Sequence, residues 1–209
     1  ATKSNGEARL IPFEFSTTQT YVLEFGNQYM RVYKDGGQVL NSGTAVEIST
    51  PYSASEANEL KFAQSADVLF IVHPSHQPRK LSRSSHTSWS LTLYAPTNNP
   101  FSSSNNFPSS VTFFEERLVF AGTNNDPQKL FFSKSGDFEN MTTGTNATDG
   151  MTFTIGSDQV NAIKYIKGLR TLLIGTTGGE FVATASSSAE PITPTNIQIK
   201  RQAGYGTSD

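Results

Sequence analysis

VTFFEERLVFAGTNNDPQKLFFSKSGDFENM, residues 111–141, is built of three short apolar runs separated by charged and turn-forming residues. Each run is four to six residues long and rich in Phe, Val and Leu, which suits a half-buried pleated strand better than a helix turn. The separators EE, TNNDPQ and SKSGD carry the Asn, Asp, Pro and Gly that reverse a chain. On its own this is a strand meander. Its weight comes from recurrence, because a pattern that returns at a fixed period dictates the architecture.

It returns along the whole chain. A first column of apolar runs reads RLIPFEF from Arg9, LKFAQS from Leu60, SVTFFE from Ser110 and VNAIKYI from Val160, with starts 51, 50 and 50 residues apart. A second reads YVLEF from Tyr21, VLFIV from Val68, LVFAG from Leu118 and LLIGT from Leu172. A third reads YMRVY from Tyr29, RKLSR from Arg79, KLFFS from Lys129 and EFVAT from Glu180. GNQ, HPSHQP, TNNDPQ and TTGG separate the second and third columns, so those columns are expected to form hairpins. A fourth run is read in VEIS from Val46, SLTLY from Ser90 and MTFTI from Met151.

Four strands in about fifty residues is the size of a propeller blade, and such sheets bury their faces by stacking on one another. The expected fold is therefore all-β: a β-propeller-like array of about four four-stranded blades, either closed or an arc of a larger propeller. Residues 1–8 are expected to be an N-terminal extension, and 9–205 a single propeller-like domain with almost no room for helix.

Composition agrees and narrows the function. The chain has 209 residues, 15 Phe and 7 Tyr, with 16 basic against 18 acidic residues and a formal charge of -2. That balance carries no global signature for nucleic acid or an anionic membrane. There is no cysteine, which removes disulfides, thiolate metal sites and cysteine nucleophiles together. The longest apolar run, Val68 to Val72, is far short of a membrane-spanning helix.

The residues that could carry chemistry each have a simpler reading. HPSHQPRKLSRSSH gathers all three histidines with Arg79, Lys80 and Arg83. His73 and His76 flank a proline turn with no carboxylate beside them in sequence, so a solvated hairpin is expected there in preference to a metal site. Arg79, Lys80 and Arg83 sit on a strand whose charges suit an edge; they are the candidates for a weak nucleic-acid contact. Glu115 and Glu116 are expected on opposite faces of a strand, and Asp137, Glu139 and Asp158 at turns, so no pair of carboxylates converges for glycoside hydrolysis. GTTGGE from Gly175 lacks the lysine of a phosphate loop and reads as a hairpin turn. GSDQ around Ser157 lacks the second glycine of a nucleophile elbow. The sequons at Asn140 and Asn146 fall in Asn/Thr-rich loops and carry no weight without secretion. Trp89 shares its strand face with Leu91 and Leu93 and is expected to be buried between blades.

ARLIPFEFSTTQTYVLEFGNQYMRVYKDGGQV, SADVLFIVHPSHQPRKLSRSSHTSWSL, PSSVTFFEERLVFAGT, SKSGDFENM and SDQVNAIKYI together resemble the tail nozzle proteins of short-tailed bacteriophages and related prophages, also called tail tubular protein B. The resemblance runs on through LLIGTTGGEF and TPTNIQIKRQAGYGTSD and rests on many strand and turn residues in order. It implies a virion structural protein, copies of which ring the DNA exit channel beside other tail and adaptor proteins. It also implies that this chain is a portion of a longer one, that DNA passes it transiently during ejection, and that it is no enzyme and needs no cofactor or metal. The competing expectation is a propeller binding module that docks a protein or glycan through its face loops.

Overall fold

The computed structural model describes all residues except 1, 2, 4, 5, 17, 18, 104, 157–160, 188, 208 and 209. Strand dominates throughout. The first sheet begins with β1 (Arg9–Ser16), β2 (Gln19–Gly26) and β3 (Tyr29–Lys34). Its fourth position is split: β4 (Gly37–Gln38) pairs one end of β3, a small hairpin of β5 (Leu40–Asn41) and β6 (Thr44–Ala45) intervenes, and β7 (Glu47–Ser49) pairs the other end. The connection to the next sheet holds the one helix of the described residues, α1 (Ala54–Glu59).

Three four-stranded antiparallel sheets follow. The second comprises β8 (Lys61–Ser65), β9 (Val68–His73), β10 (His76–Arg83) and β11 (Trp89–Leu93). The third comprises β12 (Pro108–Phe114), β13 (Arg117–Thr123), β14 (Lys129–Phe132) and β15 (Met151–Thr154). The fourth comprises β16 (Ile163–Gly168), β17 (Leu172–Thr176), β18 (Gly179–Ala185) and β19 (Ile197–Ala203). In each of these three the strands lie side by side in sequence order, as blade strands do.

The expected all-β array of blade-like sheets is thus what the chain forms, and all four hairpin turns between the second and third columns fall where the turn residues stand. Val160, the expected start of the last first-column run, lies outside the described residues, and the strand there begins at Ile163. α1 was not expected. Ser53 accepts from the Glu56 amide while Glu56 accepts from the Ser53 amide, a capping box written in the sequence as SASE. The fourth strand of the last unit, IQIKRQA, carries the adjacent charges Lys200 and Arg201 and lacks the apolar run that marks its counterparts.

The chain divides into two compact units: residues 1–71 with 79–93, and residues 72–78 with 94–209. In the first, Ile11, Phe13, Leu23 and Phe25 of the first sheet share one core with Leu69, Ile71 and Leu81 of the second. In the second, Val119, Ala121, Leu130 and Phe132 of the third sheet share a core with Ile166, Leu172, Ile174 and Phe181 of the fourth. Sheet-on-sheet stacking therefore supplies the core within each unit.

Within each unit the leading strands of its two sheets bond to one another directly. The Gln64 side chain donates to the Glu14 carbonyl at 2.8 Å and accepts from its amide at 3.1 Å, across 50 residues. In the other unit Ser110 Oγ accepts from the Ile166 amide and Thr112 Oγ1 from the Gly168 amide, both at 3.1 Å across 56 residues. Gly168 is required there, because a Cβ would stand 2.0 Å from the Phe113 carbonyl oxygen.

Candidate functional site

The basic strand flagged in the sequence is drawn into the fold. The Arg83 guanidinium has 8% of its side chain exposed, forms an ion pair with Asp67 at 2.9 Å, and stacks 3.9 Å from the Phe15 ring centroid. Arg79 is half-buried with its Nε shielded from solvent, and Lys80 stands opposite Thr92 in the β10–β11 register. Alternation along β10 sends Arg79 and Arg83 to one face and Lys80 to the other, so the three cations do not form one patch.

The histidines have separate roles. His73 is buried, against the expectation of a solvated turn: its Nδ1 accepts from the Ser75 amide at 3.1 Å, folding the ring onto its own hairpin. The His76 ring centroid lies 5.2 Å from that of His73. His86 instead bonds Tyr21 through Nδ1 at 2.5 Å. Trp89 packs edge-on against Phe13 at 4.9 Å and Tyr21 at 5.2 Å, so it lies between the first and second sheets as expected, half-buried, with its indole N–H donating to the His86 carbonyl.

Glu115 and Glu116 are not strand residues on opposite faces. They are the two central residues of the β12–β13 hairpin, with φ of 45° and 59°, the left-handed pair that a two-residue hairpin demands and that Asn-Gly ordinarily supplies. Each carboxylate is engaged by a segment remote in sequence: Glu115 accepts from the Ile192 amide, and Glu116 accepts from Ser135 Oγ at 3.2 Å. Asp137 accepts from the Glu139 amide within the SKSGDFEN turn, which serves the blade. Ser157 and Asp158 lie outside the described residues.

Beside that hairpin, Arg117 is 2% exposed and donates to the backbone carbonyls of Ser133, Ala147 and Asp149. Burial lowers its pKa, with the charges of Glu115 and Asp149 opposing that shift. A cleft of about 390 Å³ opens above it, lined by Glu115, Glu116, Arg117, Ser135, Thr148 and Ile192. A second, of about 260 Å³, is lined by Asn98, Phe131, Met141 and Thr142 among others. Sequence reasoning passed over Arg117, whose only signal was a lone arginine opening an otherwise apolar strand.

The first sheet holds a further polar centre that the sequence did not announce. Glu24 is 2% exposed, and its carboxylate accepts from Tyr29 Oη and Tyr33 Oη, each at 2.6 Å. Burial raises its pKa, but the two phenols, the Lys3 amide and the Arg31 charge together outweigh burial and hold it below the ordinary value. Arg31 in turn pairs with Glu47 at 2.8 Å.

Comparison with family models and with curated proteins returns no match. Among the described residues, no helix is long and apolar enough to cross a membrane.

Proposed function

We propose that the chain is a structural component of a bacteriophage tail, part of the nozzle ring through which DNA leaves during ejection. Its partners in that reading are other tail and adaptor proteins and copies of itself, and its place is the virion tail, after synthesis in the bacterial cytoplasm. The resemblance of its strand and turn residues to tail nozzle proteins supports this, as does an array of blade-like sheets that offers fixed surfaces for assembly.

One structural observation carries the conduit role: four of the seven arginines act as struts. Arg9 donates to the carbonyls of Ala57, Asn58 and Leu60 beyond α1, Arg31 pairs with Glu47, Arg83 is held by Asp67 and Phe15, and Arg117 holds three loop carbonyls. Guanidinium groups spent inside the fold cannot neutralise phosphates, and a wall that neutralised many would hold the duplex by counterion release. A wall of charge -2 lets it slide.

Negative-stain microscopy of the full-length protein should show rings. Titration of a fluorescent DNA duplex against the chain should give a Kd weaker than about 1 μM at moderate salt. Submicromolar binding with a steep salt slope would overturn the conduit role, and substitution of Arg79, Lys80 and Arg83 would then locate the contact. The cleft over Arg117 favours the second reading, a module that docks a ligand through face loops; saturable retention on a glycan or peptide array, lost on Thr148→Trp, is its test.

A further inference from the structure

We infer that the pocket beside Asn98, in the second unit, is a binding subsite for one uncharged sugar residue. Its floor is the pair Phe131 and Thr152, which stand opposite one another in the β14–β15 register and so share a face. One wall comes from Asn98 and Pro100, the other from Met141, Thr142 and Thr143. The walls are bonded to each other. The Thr97 amide donates to the Glu139 carbonyl and the Met141 amide to the Thr97 carbonyl, each at 2.9 Å. The Asn98 side-chain amide donates to Thr142 Oγ1 at 2.8 Å across 44 residues.

Further bonds fix the shape before any ligand arrives, which lowers the ordering cost of binding. Asn98 is held at φ 53°, a left-handed conformation that asparagine tolerates better than most residues. Asn99 Oδ1 accepts from the Phe101 amide at 2.9 Å, and the Phe101 ring meets Phe131 edge-on at 5.3 Å. The resulting cavity of about 260 Å³ has room for one sugar ring.

The chemistry of the lining selects the ligand. No ionisable side chain lines the pocket, and Lys129, whose ammonium lies 5.7 Å from the Phe131 ring centroid, is paired with Asp126 at 2.9 Å. An anion would find no cation there, and a cation no carboxylate. What the lining offers is side-chain oxygen. Asn98 Oδ1 can accept, Thr142 Oγ1 keeps its proton to donate while it accepts from Asn98, and the Thr143 and Thr152 hydroxyls can do both. Pro100, Phe131 and Met141 add apolar surface. Hydroxyls that donate and accept, set around C–H faces and carrying no charge, are what a neutral pyranose presents to such a lining. A peptide would ask instead for a free strand edge or a long groove. One ring of about a dozen heavy atoms in an open pocket binds with a Kd on the order of 1 mM. The pocket is separate from the cleft over Arg117, and the inference stands apart from the tail reading.

Titration of the isotope-labelled 209-residue chain with the methyl glycosides of glucose, galactose, mannose and N-acetylglucosamine, each to about 50 mM, tests it by chemical-shift perturbation. At least one should saturate with a Kd on the order of 1–10 mM and shift the amides of residues 98–101 and 141–143, and glucuronate should bind about tenfold more weakly or worse. Thr152→Trp, at an exposed edge-strand position outside the core, fills the pocket and should abolish binding. Thr152→Val and Asn98→Gly remove one hydroxyl and one amide while keeping the shape and the φ, and each should weaken binding about threefold or more. Thr148→Trp, in the Arg117 cleft, should leave it unchanged. Saturation by none of the four glycosides overturns the proposal, and so does binding that survives both Thr152 variants undiminished. Binding lost on Thr148→Trp instead would overturn it too, by moving the sugar to the Arg117 cleft and leaving the docking reading intact.

Discussion

Tyr29 Oη donates to Glu24 Oε1 at 2.6 Å inside the first sheet, so the carboxylate is ionised in the fold and the phenol is committed to it. The Tyr29 ring lies over Gly26, where a Cβ would stand 2.3 Å from it, and that vacancy lets the phenol reach back to the carboxylate. Glu24 has a folded pKa below its ordinary value. The stability it contributes is therefore present above the unfolded pKa of about 4.3 and is lost as pH falls through the folded value. Thermal melts should show the midpoint dropping on acidification below about pH 4, and Glu24→Gln should flatten that limb.

The alkaline limb has the opposite sign. Burial first, then the bond to Glu24 and its charge, push Tyr29 up to about 12. Stability from the protonated phenol is full below an unfolded value of about 10 and is lost as pH rises toward the folded one. Tyr29→Phe should reduce that limb, to which the likewise raised Tyr33, Tyr52 and Tyr94 also contribute, and cost about 1.5–3 kcal/mol near neutrality, since it strips one donor from a buried carboxylate. Urea denaturation at pH 7 and pH 11 measures both effects.

Arg117 supports residues 133–150 through three carbonyls, so Arg117→Ala should cost at least about 3 kcal/mol by leaving buried acceptors unsatisfied. Hydrogen exchange should show the loss concentrated in that loop. Arg117→Lys should recover only part, because an ammonium cannot reproduce the planar fork.

Gly168→Ala should separate the leading strands of the third and fourth sheets, because the new methyl meets the Phe113 carbonyl. A cost of about 1–3 kcal/mol is expected, as for overpacking. Ser110→Ala, which removes a hydroxyl bridge between the same strands without adding volume, should cost about 1 kcal/mol.

Trp89→Ala should destabilise the chain by about 2 kcal/mol, below the usual core value because the ring is only half-buried, and Trp89→Phe should keep most of the aromatic contact with Phe13. As the sole tryptophan, Trp89 makes fluorescence a reporter of the first unit, while far-ultraviolet circular dichroism reports both. Transitions that coincide by the two probes would mean that the units unfold together.

By itself the sequence determined the all-β class, the period near fifty and the positions of the hairpins. All three are local or periodic properties: apolar runs of strand length, turn residues between them, and a spacing that can be counted. It also held the SASE capping box, a four-residue signal outweighed by the surrounding strand pattern. Only the tertiary structure decided what the polar residues do. Arg83 reads as an exposed edge charge until Phe15 and Asp67, remote in sequence, come to surround it. Glu24 reads as an ordinary strand glutamate until register places Tyr33 and Arg31 on its face. Glu115 and Glu116 read as strand until chain reversal claims both for the turn. A side chain's burial and partners depend on which distant strands stack against it, and a one-residue change of register exchanges its two faces, so the roles of these charges are settled by packing.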